Sequence, residues 1–160
     1  MLFSPRLFLS TLVCSVLVTG VTLGESKHTT HWHSDLATAQ ADAKEMNKPV
    51  LLHFYADWCG PCKQMEATVF EAAEFKKLLG TEVVGVKING DYHSNLISRF
   101  SIKAYPADVL LSPDGKELKR SLGRVSLNQY VSLLQQTAAP YRVAQKEKAP
   151  EPVAKTVIKV

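Results

Sequence analysis

The stretch Pro49-Val50-Leu51-Leu52-His53-Phe54-Tyr55-Ala56-Asp57-Trp58-Cys59-Gly60-Pro61-Cys62-Lys63 joins an apolar run to a pair of cysteines with two residues between them. An apolar run of this length, broken by turn chemistry, reads as a buried strand. The cysteines then stand where the strand ends and a helix begins. Two sulfurs at that spacing can close a small disulfide and reopen it. The first sulfur sits over unpaired backbone N–H groups at the positive end of the helix, which favours thiolate over thiol. A thiolate near neutral pH is what attack on another disulfide requires, so the stretch points to dithiol–disulfide exchange.

The chain has three cysteines, Cys14, Cys59 and Cys62. A zinc ribbon needs a second pair or histidines at ligand spacing, and neither is present beside Cys59 and Cys62. His28, His31 and His33 offer loose metal ligands but precede the predicted domain. A disulfide scaffold needs more cysteines spread along the chain. The bland alternative for Cys59 and Cys62 is a static staple or a metal half-site. Cys14 lies in an apolar stretch and follows Val13 rather than a small residue, so it reads as part of a targeting segment and not as a lipidation site.

Residues 1–24 have a basic start at Arg6, an apolar centre over 7–23 and small residues beyond it. Val18-Thr19-Gly20 and Thr22-Leu23-Gly24 have the small-x-small spacing of a cleavage site. The expectation is an exported chain, periplasmic or extracellular, attached to a membrane only if this segment is retained. Residues 25–33 read as a linker, 34–139 as one domain and 140–160 as a flexible basic tail with Pro140, Pro150 and Pro152. The net charge of +4 resides outside the domain, where 12 basic and 12 acidic side chains balance. No nucleic-acid surface is expected from it.

Ser34 can cap a helix reaching Asn47, with Leu36, Ala39, Ala43 and Met46 at helical spacing. Val50–Ala56 is a strand and Cys59 opens a short helix. Glu71–Leu79 is a second helical piece, Glu82–Ile88 a strand, and a helix runs to Phe100. Ala107–Ser112 and Glu117–Leu122 form a hairpin about Pro113-Asp114-Gly115-Lys116. Ser126-Leu127-Asn128-Gln129 has capping-box spacing and opens a last helix with Leu127, Tyr130, Val131 and Leu134 on one face. The expected class is α/β, a mixed central sheet with helices on both faces.

On these landmarks residues 34–137 resemble the thioredoxin family. Trp58-Cys59-Gly60-Pro61-Cys62-Lys63 is that family's active-site sequence. Tyr105-Pro106 aligns with its cis-proline loop, Lys87 with a lysine near the site, and Gly123 with the glycine before the last helix. The resemblance implies the thioredoxin-like fold, with Cys59 as attacking thiolate and Cys62 as resolving thiol. Gly60 and Pro61 would shape the loop, and Trp58 would shield the sulfur and contact substrate. A cis bond before Pro106 would present backbone beside Cys59 to an extended substrate. The implied activity is protein-disulfide reduction. It needs protein disulfide substrates, an electron-donating redox protein and no cofactor beyond the Cys59–Cys62 disulfide, and the chain is expected to be a monomer. An oxidase or isomerase of the same fold, or a non-catalytic binding module, are the competing readings.

The chain departs from the family twice. Thioredoxins carry an aspartate six residues before the first active cysteine, and here that position is His53. Tyr55 stands where thioredoxin has tryptophan. His53 is either a proton acceptor for Cys62 or a core histidine bonded to backbone. Lys87 either tunes the site or carries its charge to the surface.

Overall fold

The structure is a computed structural model, described for residues 32–148. The expected targeting segment, Cys14, His28 and His31 lie outside the described residues. In chain order the elements are α1 (Leu36–Met46), β1 (Val50–Tyr55), α2 (Gly60–Met65), a π-helical turn (Glu66–Phe70) and α3 (Ala73–Leu78). β2 (Val84–Asn89), α4 (Ser94–Arg99), β3 (Ala107–Leu111), β4 (Glu117–Leu122) and α5 (Leu127–Lys148) follow.

The strands form one sheet in the order β2-β1-β3-β4. β1 and β2 are parallel and joined by a crossover through α2, the π-helical turn and α3, while β1 with β3 and β3 with β4 are antiparallel. This is the expected mixed sheet, with helices on both faces. β1 and β3 are central and buried on both sides, which is why they read as nearly continuous apolar runs. β4 is the edge, and its largely exposed, charged Glu117, Lys119 and Arg120 discourage pairing with another chain.

Alternation along β1 divides the core. Val50, Leu52 and Phe54 pack with Leu36, Ala39, Val86, Phe100 and Val109 on the side of α1 and α4. Leu51 faces the other way, with Met65, Phe70, Phe75, Leu110, Tyr130 and Leu134 of α2, α3 and α5. His53 is on this second face. In register it stands between Lys87 of β2 and Asp108 of β3.

Several expected boundaries shift. Asp35, not Ser34, caps α1, its carboxylate accepting from Thr38 N–H at 2.8 Å. The domain starts before residue 34. His33 donates its N–H to Gly85 at 2.8 Å and accepts from Lys87 N–H at 3.0 Å, a one-residue bridge to the open edge of β2. That bridge seats Trp32 against Phe70 and Phe75, with ring centroids 5.1 and 5.6 Å away. Gly85 makes room for it: a Cβ there would come within 2.7 Å of the indole and 2.5 Å of Leu79.

The expected flexible tail is helical over its first part. α5 continues through Pro140 to Lys148, while 149–160 lie outside the described residues. The helix is docked past the proline by Arg142, 3.3 Å from Glu82, and by Tyr141, whose hydroxyl acidity is lowered by burial and by the charge of Asp114. Among the described residues no helix is long and apolar enough to cross a membrane.

Candidate active site

β1 ends at Tyr55, the chain turns through Ala56-Asp57-Trp58, and α2 begins at Gly60 with Cys59 as its N-cap. Pro61 occupies the first turn, where its missing N–H leaves nothing unsatisfied. Cys59 Sγ accepts from Cys62 N–H at 3.2 Å, so the cap function falls to the sulfur itself. Cys59 and Cys62 are joined as a disulfide.

The two sulfurs are not told apart by exposure. Cys59 is 3% exposed and Cys62 5%, because Tyr55, Ala56 and Tyr105 pack around the pair. They differ in what surrounds them. Cys59 is at the helix start beside the rim, whereas Cys62 lines a cavity of about 430 Å³, open to solvent on one side, with His53, Asp57, Lys63, Glu66 and Lys87.

The rim is held by the loop after β2. Gly90 N–H donates to Tyr55 at 2.8 Å and the Asn89 amide donates to Asp57 at 3.1 Å. Asp91 accepts from the Trp58 indole N–H at 3.0 Å, fixing a ring that is otherwise 71% exposed. The Tyr105 ring meets Trp58 edge-on at 5.9 Å, and the Tyr105–Pro106 peptide is cis. Burial first, then the negative charge of Asp91, pushes the Tyr105 hydroxyl pKa up. Gly90 has no alternative here, since a Cβ would overlap the Tyr105 ring.

The floor of the cavity is polar but paired. Lys87 reaches Glu66 at 2.6 Å, and its ammonium lies 4.9 Å over the Trp32 ring and 5.5 Å over Phe70. The π-helical turn, with its extra residue per turn, is where Glu66 departs from α2 toward Lys87. His53 is not bonded to backbone through Nδ1. That nitrogen lies 2.7 Å from Asp108 Oδ1, and both side chains are buried. The His53 ring stacks on Tyr55 at 6.0 Å and meets Phe70 edge-on at 4.7 Å.

The structure thus brings Cys59, Cys62, Trp58, Gly60, Pro61, Tyr105, Pro106, His53 and Lys87 around one centre. His33 lies elsewhere, 3.4 Å from Asp42, and among the described residues no cluster of three or more acidic, histidine or cysteine side chains is placed to hold a metal. Asp108, Glu66 and Asp91 escaped the sequence reading. Asp108 left a signal, being a carboxylate inside the apolar strand Ala107-Asp108-Val109-Leu110-Leu111, where burial demands a partner.

The family model described as Thioredoxin matches residues 30–136. The chain belongs to the thioredoxin family. A curated relative, "Thioredoxin Y, chloroplastic" of Oryza sativa subsp. japonica, is 34% identical over 102 residues, 64% of this chain and 56% of the relative. "Thiol:disulfide interchange protein DsbD" of Pseudomonas fluorescens is 34% identical over 112 residues, 65% of this chain and 19% of that protein. The chain therefore spans little more than half of the first relative and a small part of the second. The solution structure of a thioredoxin from Thermus thermophilus superposes with a TM-score of 0.64 at 19% identity, covering 78% of this chain and 100% of that one, a likeness of fold. With its cysteine pair closed as a disulfide, this thioredoxin-like chain is consistent with redox activity as a disulfide oxidoreductase.

Proposed function

We propose that the chain is an exported protein-disulfide reductase working by dithiol–disulfide exchange through Cys59 and Cys62. The observation that carries the reading is the Cys59–Cys62 disulfide at the start of α2, with Cys59 Sγ accepting the Cys62 N–H. That bond, with the dipoles of the helix start, stabilises negative charge on Cys59 once the pair is reduced. The Cys59 thiolate attacks a substrate disulfide, one substrate sulfur leaves, and a mixed disulfide forms. Cys62 then attacks Cys59 Sγ, restoring the Cys59–Cys62 bond and releasing the second substrate sulfur. Two electrons pass to the substrate, and a donor redox protein returns them. Trp58 and Tyr105 offer the apolar rim against which a protein substrate settles, and no cofactor beyond the disulfide enters.

Export is supported by the arrangement of residues 1–24. Reduction rather than oxidation is supported by the Gly60-Pro61 pair, which is that of thioredoxin. The test is catalysis of insulin reduction by dithiothreitol, together with the potential of the Cys59–Cys62 couple. A value near thioredoxin's, about −270 mV, supports the reductase; one above about −180 mV makes the chain an oxidase or isomerase. Inability to reduce insulin makes it a binding module.

A further inference from the structure

We infer that His53 and Asp108 act as one base for Cys62, with Asp108 the positioning residue that makes the histidine a proton acceptor. The inference rests on the exchange reading above and adds to it a residue that the cysteine motif does not announce.

The geometry carries it. His53 Nδ1 lies 2.7 Å from Asp108 Oδ1, on neighbouring central strands and out of solvent. A single proton fits between them. With that proton on Nδ1, the other ring nitrogen, Nε2, holds a lone pair. His53 and Cys62 line the same cavity.

Asp108 has little else to do. Its second oxygen has no hydrogen-bond partner, and neither has the Tyr130 hydroxyl. Burial first, then the nearby Asp108 carboxylate, pushes the Tyr130 hydroxyl pKa well up. A buried carboxylate held to one ring nitrogen fixes the tautomer and orientation of the imidazole and faces the positive charge that forms when the other nitrogen takes a proton in the reaction.

The other charged groups around His53 are occupied. Lys87 beside it on β2 is neutralised by Glu66 from the π-helical turn, and Asp57 accepts from Asn89. Lys63 of α2 opens to solvent. Tyr55, Trp32 and Phe70 complete the surround with ring faces and edges. Asp108 is thus the negative group that answers a charge on His53.

The step balances as follows. In the mixed disulfide Cys59 is bonded to a substrate sulfur and Cys62 is a thiol. Nε2 takes the Cys62 proton, directly or across one water, and the thiolate attacks Cys59 Sγ. The Cys59–Cys62 bond forms, the bond to substrate breaks, and the substrate sulfur leaves with the electron pair. The imidazolium, held by Asp108, returns its proton to the leaving thiolate or to solvent.

The test follows the full-length reduced chain reacting with dithiobis-nitrobenzoate in a stopped-flow instrument, with Cys14→Ser carried in wild type and variants alike so that only Cys59 and Cys62 can react. The reagent releases one coloured thiolate when the mixed disulfide forms at Cys59 and a second when Cys62 resolves it. In His53→Gln the first phase should stay within about twofold and the second slow by about 10²-fold or more, the range of general base catalysis. Asp108→Asn should slow the second phase by about tenfold or more. The double variant should be no slower than His53→Gln, because the two act as a unit.

The pH profile separates a base from a packing residue. In both variants the second phase should rise about tenfold per pH unit up to the ordinary thiol range near 8.5, while the wild type is flatter. A wild-type second phase that itself climbs like a free thiol would overturn the inference without any variant. So would an Asp108→Asn protein that resolves at the wild-type rate, or one slowed equally in both phases with a lower melting temperature. Absence of the first phase in the wild type removes the exchange reading, and the base with it.

Discussion

The two faces of β1 follow opposite rules. Toward α1 and α4 the strand presents Val50, Leu52 and Phe54 to a wholly apolar layer. Toward α2 and α5 it presents His53 in a row with Lys87 and Asp108, beneath the cysteines. The first face is close-packed and gains its stability from burial alone. The second accepts the desolvation of charged and polar groups and offsets it with His53–Asp108 and Lys87–Glu66. One strand therefore serves as scaffold on one side and as chemistry on the other. Residues of equal burial should respond differently when changed.

The largest effect belongs to the cysteines on the polar face. Cys59→Ser should abolish insulin reduction, since no attacking sulfur remains at the start of α2. Cys62→Ser should instead hold substrates as stable mixed disulfides at Cys59, visible as adducts on non-reducing gels. Adducts that form through Cys62 in the Cys59→Ser chain would reverse the assignment of roles.

The opposite face is broken by Phe54→Ala. Phe54 is fully buried, with Phe100 at a centroid distance of 5.8 Å. Removing the ring should cost about 3–5 kcal/mol in a urea titration. Activity per folded molecule should stay close to wild type, because the side chain points away from the cysteines. A large loss of turnover in the folded fraction would show that the faces are coupled.

What could be read from the chain follows the range of the forces involved. The junction at 50–63, the hairpin at 113–116 and the capping box at Ser126 are local patterns, and the structure carries each of them. In the capping box Gln129 Oε1 accepts from the Ser126 backbone N–H at 3.4 Å. The missing parts depend on partners distant in sequence. Asp108 gains meaning only when pairing in register sets it beside His53, 55 residues away. Trp32 lies in a stretch read as linker because its site is formed by Gly85, Phe70 and Phe75. The π-helical turn has no sequence signature, and it appears where Glu66 must meet Lys87. The cover over Cys59 is non-local as well, since Tyr105 from the loop before β3 packs against the cysteine pair.

A finer contrast on the polar face comes from Tyr130→Phe. The hydroxyl is buried without a hydrogen-bond partner, and burial with the Asp108 charge keeps it protonated across the accessible pH range. Removing it deletes an unsatisfied group and leaves the ring packing against Phe70 and Phe75 unchanged. The variant should be as stable as wild type or more stable by about 1 kcal/mol, unlike a cut of similar depth on the apolar face. A loss above about 1 kcal/mol would mean that the hydroxyl donates to Asp108 in solution.

The smallest effect is expected where α5 runs past the domain. Up to Ala138 the helix covers the polar face with Tyr130, Leu134 and Ala138, all buried. Beyond Pro140 it is held by the Arg142–Glu82 pair, whose side chains are partly exposed, and by half-buried Tyr141. An exposed ion pair contributes about 0.2–1 kcal/mol, and salt screens it. A chain ending at Ala139 should therefore lose about 1 kcal/mol or less in urea unfolding, and Arg142→Ala should reproduce part of that loss. The difference should shrink when salt is raised to about 1 M, where the screening length falls to about 3 Å. Insulin reduction should be unchanged, since among the described residues none after 139 lines the cavity of Cys62. Slower reduction by the shortened chain at full folding would show that the helical extension acts on the site through α5, and the separation of scaffold from chemistry would then end at Tyr130.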